Sequence, residues 1–370
     1  MSKIRVLIVD DAVVIRRIVS DVLASDPDIE VVGTAANGKI AMAKISQVNP
    51  DLVTLDMEMP EMDGIATLHE LRKLHRKLPV IMFSTLTSRG AGATLEALAC
   101  GANDYVTKPA NVGSVAMAMQ RIRDELIPKI KALCAKTALA PAAVAAIARP
   151  ASSEASPFGA SKQAQAGVEA VAIGISTGGP NALAEVIPAL PGDLGVPVFI
   201  VQHMPPVFTR VLADRLNQKS ALHVKEAEDG EAIEPGTVYI APGDYHLTIV
   251  RVGTKMVAKL NQESPENSCR PAADVLMRSV ATAYGSATLG VVMTGMGQDG
   301  LHGARAIREA GGSLFVQDEA TSVVWGMPGF VAKHGLAESQ IPLSKVAEEI
   351  TRRVAMNRSA SRPIIGKQVA

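Results

Sequence analysis

Two stretches, Ile4-Arg5-Val6-Leu7-Ile8-Val9-Asp10-Asp11 and Asp51-Leu52-Val53-Thr54-Leu55-Asp56-Met57, decide the fold of the N-terminal half. Each is an apolar run of strand length that reaches carboxylates at its end. A run with so little polar alternation is what a strand buried on both faces requires. Outward from these two the pattern repeats: EVVGTAA at 30–36, PVIMFST at 79–85 and DYVTKP at 104–109 are strand-like, with helical stretches between them. Strands alternating with helices predict a doubly wound α/β domain with a five-stranded parallel sheet over residues 1–125. In such a sheet the strands deliver their carboxyl ends to one edge, where ligands bind.

That edge is expected to collect Asp10 and Asp11 from the first strand, Asp56 from the third, Thr85 from the fourth and Lys108 from the fifth. Clustered carboxylates repel one another unless a cation lies among them, and a hard, oxygen-preferring Mg²⁺ suits the set. The Thr85 hydroxyl and the Lys108 ammonium suit the oxygens of a transferring phosphoryl group. The plainer alternative is an α/β domain whose strand ends are acidic without further meaning.

A segment dominated by Ala, with Pro141, Pro150 and Pro157 and few large apolar residues, cannot build a core of its own. Residues 126–167 are therefore expected to form a linker, helical in part near its start. From Val168 a second alternation begins, with EAVAIGIS, VPVFIVQH, GTVYIAPG, HLTIVRV, ATLGVVMTGMG and SLFVQDE as strands and NALAEVIPAL and FTRVLADRL as helices. This predicts a second doubly wound, mostly parallel α/β domain over 168–355, with a hairpin-like excursion in YIAPGDYHLTIV. Residues 356–370 are polar and are expected to be a flexible tail.

The first strand of that domain runs into Gly174-Ile175-Ser176-Thr177-Gly178-Gly179-Pro180 and then a helix. A G-x-S-x-G turn between strand and helix lifts a serine hydroxyl above the sheet edge, beside backbone N–H groups. The same turn can simply cap a helix with Pro in its first turn, or cradle a phosphate, although the G-x-G-x-x-G spacing is missing. On the turn alone these readings stay open. A serine nucleophile also needs a base and a carboxylate that orients the base. His203 and Asp299 each follow a strand of the same domain and meet that need. His246 is a rival base, Asp244, Asp274 and Asp318 are rival carboxylates, and His223, His302 and His334 read as surface or helix-face residues.

Composition narrows the function classes. Hydrophobic residues make up 48% of the 370 and aromatics only 3%, so aliphatic side chains pack the cores. Lys+Arg and Asp+Glu are both 37, with no basic stripe, which disfavours a nucleic-acid-binding output domain. Apolar runs such as VPVFIV are far below the roughly 20 residues that span a bilayer. The start, MSKIRVLIVDD, has no signal-peptide pattern, and the 3 cysteines, Cys100, Cys134 and Cys269, never form a C-x-x-C pair. A cytoplasmic protein is expected.

VDDAVVIRR, LDMEMPEMDG, FSTLTSRG and ACGANDYVTKP together resemble the response-regulator receiver family, whose fold is flavodoxin-like. The resemblance implies phosphorylation at Asp56, Mg²⁺ organised by Asp10, Asp11, Asp56 and the backbone carbonyl of Glu58, and a response to the phosphoryl group by Thr85 and Lys108. In the second domain, GISTGGP, VQHMP, APGDYHL, MTGMGQDG and WGMPG are similar in identity and order to the catalytic domain of the chemotaxis protein-glutamate methylesterases, the CheB family. This likeness implies a triad of Ser176, His203 and Asp299, an oxyanion hole using the Met296 N–H with Thr177 assisting, and no cofactor for the hydrolysis. It also implies the substrates, γ-glutamyl methyl esters and certain glutamines of methyl-accepting chemotaxis receptors, and a chemotaxis histidine kinase as phosphodonor. The protein is then expected at membrane receptor arrays without being inserted. The chain departs from the usual motifs at Ile175 and at Pro271-Ala272-Ala273-Asp274-Val275-Leu276-Met277, the latter in a stretch that could border a substrate groove. The competing expectation is a response regulator whose C-terminal domain only binds a phosphate or other ligand.

Overall fold

The computed structural model describes residues 3–108, 115–135 and 167–360, and the chain divides into two compact units, Met1–Ala151 and Ser152–Ala370. In the first unit the elements alternate: β1 (Ile4–Val9), α1 (Val13–Ala24), β2 (Ile29–Ala35), α2 (Gly38–Val48), β3 (Leu52–Asp56), α3 (Gly64–Leu74), β4 (Val80–Ser84), α4 (Ser88–Ala99), β5 (Asp104–Thr107) and α5 (Val115–Ala135). The 5-stranded sheet has the order β2-β1-β3-β4-β5, with its strands parallel. Val6 to Val9, Leu52, Val53, Leu55 and Val80 to Met82 are buried, as apolar strands between two helix layers must be. Side chains cap three helices: Asn37 accepts from Ile40 N at 2.9 Å, Asp63 from Ala66 N at 2.8 Å and Thr87 from Gly90 N at 2.9 Å.

α5 continues past residue 125, where the sequence suggests a linker. Its later turns bury Leu126, Ile130 and Leu133, so they belong to the packed unit and not to a tether. Lys129 anchors the same stretch through Asp104 at 3.2 Å and the Tyr105 carbonyl at 2.6 Å. The rest of the expected linker, 136–166, lies outside the described residues.

The second unit contains β6 (Ala170–Ile175), α6 (Gly179–Val186), β7 (Val198–Gln202), α7 (Phe208–Asn217), β8 (His223–Glu226), β9 (Thr237–Ile240), β10 (His246–Val252), β11 (Lys255–Asn261), α8 (Ala273–Tyr284), β12 (Thr288–Val292), α9 (Leu301–Glu309), β13 (Ser313–Gln317), α10 (Met327–Lys333), β14 (Gln340–Ile341) and α11 (Leu343–Ala360). Its 7-stranded sheet has the order β14-β13-β12-β6-β7-β9-β8, and its pairings are parallel. The chain leaves β6 on one side through β7 and returns on the other through β12, so the carboxyl end of β6 is a topological switch point.

The expected hairpin is displaced. Tyr239 and Ile240 belong to β9 inside the parallel sheet, and the hairpin pairs β10 with β11 from His246↔Asn261 to Val252↔Lys255. Between Val252 and Lys255 the turn is Gly253-Thr254, with Gly253 at φ 60°, a conformation open to glycine. Helix α11 carries ordered chain beyond residue 356, where a loose tail is expected, and 361–370 lie outside the described residues. No helix among the described residues is long and apolar enough to cross a membrane.

Candidate active site

At the carboxyl edge of the first sheet, Asp10, Asp11 and Asp56 bring one oxygen each to within 4.8 Å of one another. Lys108 reaches Asp56 Oδ1 at 2.7 Å and Asp10 Oδ2 at 3.0 Å. The Met57 N–H also donates to Asp56 Oδ1, at 2.7 Å, while Asp56 Oδ2 is buried without a hydrogen-bond donor. A Cβ on Gly64 would lie 2.3 Å from the Asp56 carbonyl, so only glycine lets α3 start this close to β3. Thr85 and Glu58 line the same cavity of about 780 Å³, together with Arg89. All of the residues expected at this edge are therefore gathered there. An acidic, partly unsatisfied oxygen set of this kind fits a divalent cation with oxygen preference.

Burial pushes the Asp56 carboxyl up to about 6; Lys108 opposes the shift and the Asp10 charge adds to it. Between its ordinary value of 3.8 and about 6, the folded protein holds a proton that the unfolded chain releases, so this group's contribution weakens as pH rises through that window. In EDTA, Asp56→Asn is expected to be more stable than wild type at pH 7, by about 1–2 kcal/mol, with the difference shrinking toward pH 5. Thermal melts of both proteins at the two pH values check this, and a gain over wild type no larger at pH 7 than at pH 5 would contradict it.

At the switch point of the second sheet, β6 and β7 run in register to Ile175↔Gln202, and Ser176 and His203 follow directly. The His203 N–H donates to the Ile175 carbonyl at 3.2 Å, and Gln202 Nε2 donates to the carbonyls of Ser176 at 3.0 Å and His203 at 3.3 Å. From the other side, Ser176 N bonds the Thr294 carbonyl at 3.0 Å. A Cβ on Gly295 would meet Ser176 Cβ at 2.9 Å and Met327 Sδ at 2.3 Å. A side chain there would push the loop carrying Met296 away from the serine. Thr177 is buried, Ser176 and Met296 half-buried.

The capping alternative for the serine turn fails in this geometry. The N-cap of α6 is Gly178 at φ 78°, and no side chain caps it, so the Ser176 and Thr177 hydroxyls are not used to start the helix. Thr294 Oγ1 instead braces the turn through the Thr177 carbonyl at 2.9 Å.

His203 and Asp299 are directly paired, Nε2 to Oδ2 at 2.7 Å. The other ring nitrogen, Nδ1, faces Cys269 Sγ at 3.5 Å, a neighbour that sequence spacing did not reveal. Burial works against a charge on His203, but Cys269 and the Asp299 carboxylate outweigh it and hold the imidazole proton more tightly than usual. Asp299 goes the opposite way: burial alone would raise it, and the bonds from His203, Asp274 N and Ala273 N bring it below the ordinary carboxylate range.

The rivals separate cleanly. His246 is buried, accepts from Ala272 N at Nδ1 and faces the Ser264 carbonyl through Nε2, so both nitrogens are spent on structure. Asp244 pairs with Arg270 and Asp318 binds its own turn at Thr321. Asp274 lies beside Asp299, joined to it through Asn267. Among the other histidines, His223 opens edge strand β8 and His302 and His334 are exposed.

A solved relative of the second unit, the CheB methylesterase catalytic domain of Thermotoga maritima, is 44% identical, covers 50% of this chain and 97% of its own, and has a TM-score of 0.49. The family model for CheB methylesterase matches residues 171–350, and that for the response regulator receiver domain matches 6–120. Over nearly the whole chain, the protein-glutamate methylesterase/protein-glutamine glutaminase of Trichodesmium erythraeum is 53% identical, across 96% of this chain and 100% of that protein. The protein of the same name from a Nocardioides species is also 53% identical, across 98% and 99%. The chain belongs to the CheB methylesterase family. The CheB relatives match both units in one chain, so receiver and hydrolase are a single inherited arrangement, and a merely ligand-binding second domain is not favoured.

Proposed function

We propose that this CheB-family chain is a phosphorylation-activated protein-glutamate methylesterase that also deamidates glutamines, acting in the cytoplasm on methyl-accepting chemotaxis receptors. The observation that carries the reading is the paired His203 and Asp299 at the ends of the strands flanking β6, whose own end presents an unengaged serine hydroxyl.

In this mechanism Ser176 Oγ attacks the side-chain carbonyl of a glutamyl methyl ester. With Nε2 committed to Asp299, Nδ1 of His203, which in the free enzyme faces Cys269 Sγ, is the nitrogen that takes the serine proton, which it then gives to departing methanol, or to ammonia from a glutamine. Water attacks the acyl-enzyme by the same route in reverse and releases the glutamyl carboxylate. Asp299 fixes the imidazole tautomer and stabilises its charge. The Met296 N–H, with Thr177 beside it, supplies the oxyanion site.

In the receiver, Asp56 takes the phosphoryl group from a histidine kinase. Asp10, Asp11, Asp56 and the Glu58 carbonyl would hold Mg²⁺, which neutralises charge on the transferring phosphoryl group. Lys108 then pairs with a phosphoryl oxygen and Thr85 donates its hydroxyl.

Incubating the full chain with a small phosphodonor and Mg²⁺ should label wild type, and neither Asp56→Asn nor the EDTA-treated protein. Equal labelling of the Asn variant would remove Asp56 as the acceptor. A serine-reactive fluorophosphonate should label Ser176 in a His203-dependent way, which a ligand-binding domain would not do.

A further inference from the structure

Whereas α2, α3 and α4 of the first unit are capped by their own N-cap side chains, several helices of the second unit are not. α6, α7, α8, α9 and α10 have no hydrogen bond from their own N-cap side chains. For α8 and α9 the missing caps are exchanged. Asp299, just before α9, accepts from Ala273 N at 2.6 Å and Asp274 N at 2.9 Å in the first turn of α8. Asp274, in that first turn, accepts from Gly303 N at 2.6 Å in the first turn of α9. Two buried carboxylates are thus drawn together by the two helix ends they serve.

Carboxylates this close ordinarily share a proton, and a protonated Asp299 would be a poor partner for an imidazolium. Asn267 stands between them. Its Nδ2 donates to Asp274 Oδ2 at 3.0 Å and to Asp299 Oδ1 at 3.2 Å, one N–H for each carboxylate. Asp299 Oδ1 also receives Gly300 N at 3.0 Å, which leaves Oδ2 for Ala273 N and His203. The backbone restricts the choice at this position, because Asn267 has φ 53°, where Asn, Asp and Gly are tolerated. Of these, only Asn brings a side-chain amide donor.

We propose that Asn267 is a positioning residue of the hydrolase centre, bridging Asp274 and Asp299 so that both stay ionised and Asp299 keeps one oxygen aimed at His203. The idea rests on the hydrolase reading above. Burial raises Asp274 to about 6, the Gly303 N–H opposing and the Asp299 charge adding, so any proton taken up goes to Asp274 first and spares Asp299. The charged and titratable groups around the pair are His203 after β7, Glu266 and Cys269 before α8, Asp274 and Arg278 on α8, and His246 behind Ala272.

Two substitutions move the charge near His203 in opposite directions. Asn267→Asp keeps the backbone preference and the shape but adds a negative charge, which raises the His203 pKa. The base then loses its neutral form at higher pH, and the acid limb of ester hydrolysis moves up. Asp274→Asn removes a negative charge and moves that limb down. Each shift is expected to be about half a unit or more. Asn267→Gly, which suits the positive φ and lacks the amide, is expected to lower kcat about tenfold or more with little change in KM.

Full-length wild type and the three variants are compared by kcat and KM against pH, by thermal melting, and by NMR titration of the His203 ring, which needs no substrate. Limbs and ring titrations moving in opposite directions, with the Asn267→Gly loss in kcat, are the expected result. Lower melting temperatures with unchanged limbs, titrations and kcat would reduce Asn267 to a structural residue and overturn the proposal. A wild type without Ser176-dependent hydrolysis would sink the hydrolase reading instead, while a His203 titration indifferent to Asn267→Asp would sink this inference independently.

Discussion

Ser176→Ala is expected to lower methanol release from a methylated receptor fragment by about a thousandfold or more, while leaving the melting temperature nearly unchanged. The two halves of that result come from the same geometry. The Ser176 backbone is tied on both sides, by its N–H to Thr294 and by its carbonyl to Gln202 and Gly179. Its hydroxyl takes no part in starting α6, whose N-cap is Gly178. Removing one oxygen therefore removes the nucleophile and no structural bond. A substantial loss of stability would show that the hydroxyl serves the turn after all, and retained hydrolysis would remove Ser176 from the mechanism.

Asp299→Asn is expected to lower kcat by about ten-thousandfold, the size of effect seen when an amide replaces the orienting carboxylate of a serine triad. Unlike the serine change it should also destabilise the second unit, by about 1–3 kcal/mol. Asp299 Oδ1 accepts from Asp274 N, Gly300 N and Asn267, and Oδ2 accepts from Ala273 N and faces His203. An amide has one accepting oxygen, so at least one of these sets loses its partner. Steady-state kinetics and denaturant melts on the same preparation separate the two effects. An Asn variant within tenfold of wild type would mean that Asp299 is chiefly a helix cap.

The candidate site residues that the sequence points to share one property. Asp10, Asp56 and Lys108 in the first sheet, and Ser176 and His203 in the second, sit at or directly after the carboxyl ends of parallel strands, and Asp299 lies in the loop that leads from the end of β12 to α9. Once the strands are read from their apolar runs, the parallel arrangement brings those ends to one edge without any knowledge of loop geometry. Asn267 and Cys269 lie between β11 and α8, Asp274 in the first turn of α8, and nothing in their spacing says where that segment goes. Their positions depend on the β10–β11 hairpin, whose second strand, KMVAKLN, is only partly buried and so lacks the apolar run that marks the central strands. Asn267 meets Asp299 across 32 positions of sequence, through contacts made only when α8 docks beside α9. The long α5 was legible as a helix but not in its extent, because the features that end it are tertiary: Leu126, Ile130 and Leu133 have a core to enter.

The proposed control of the hydrolase by the receiver predicts a further change. Removing residues 1–140 is expected to raise esterase activity above that of the unphosphorylated full-length chain, since a tethered receiver acts at high effective concentration on its neighbour. A truncated enzyme no faster than the intact, unphosphorylated one would argue against inhibition by the receiver.

The coupling of Asp56 to Ser176 is measured most directly as methanol release from methylated receptor by the full-length chain, with and without a small phosphodonor and Mg²⁺. Release is expected to depend on Ser176, to rise with phosphodonor in wild type and not to rise in Asp56→Asn. Release that is absent in wild type, or that responds to phosphodonor equally in the Asp56→Asn protein, would contradict it.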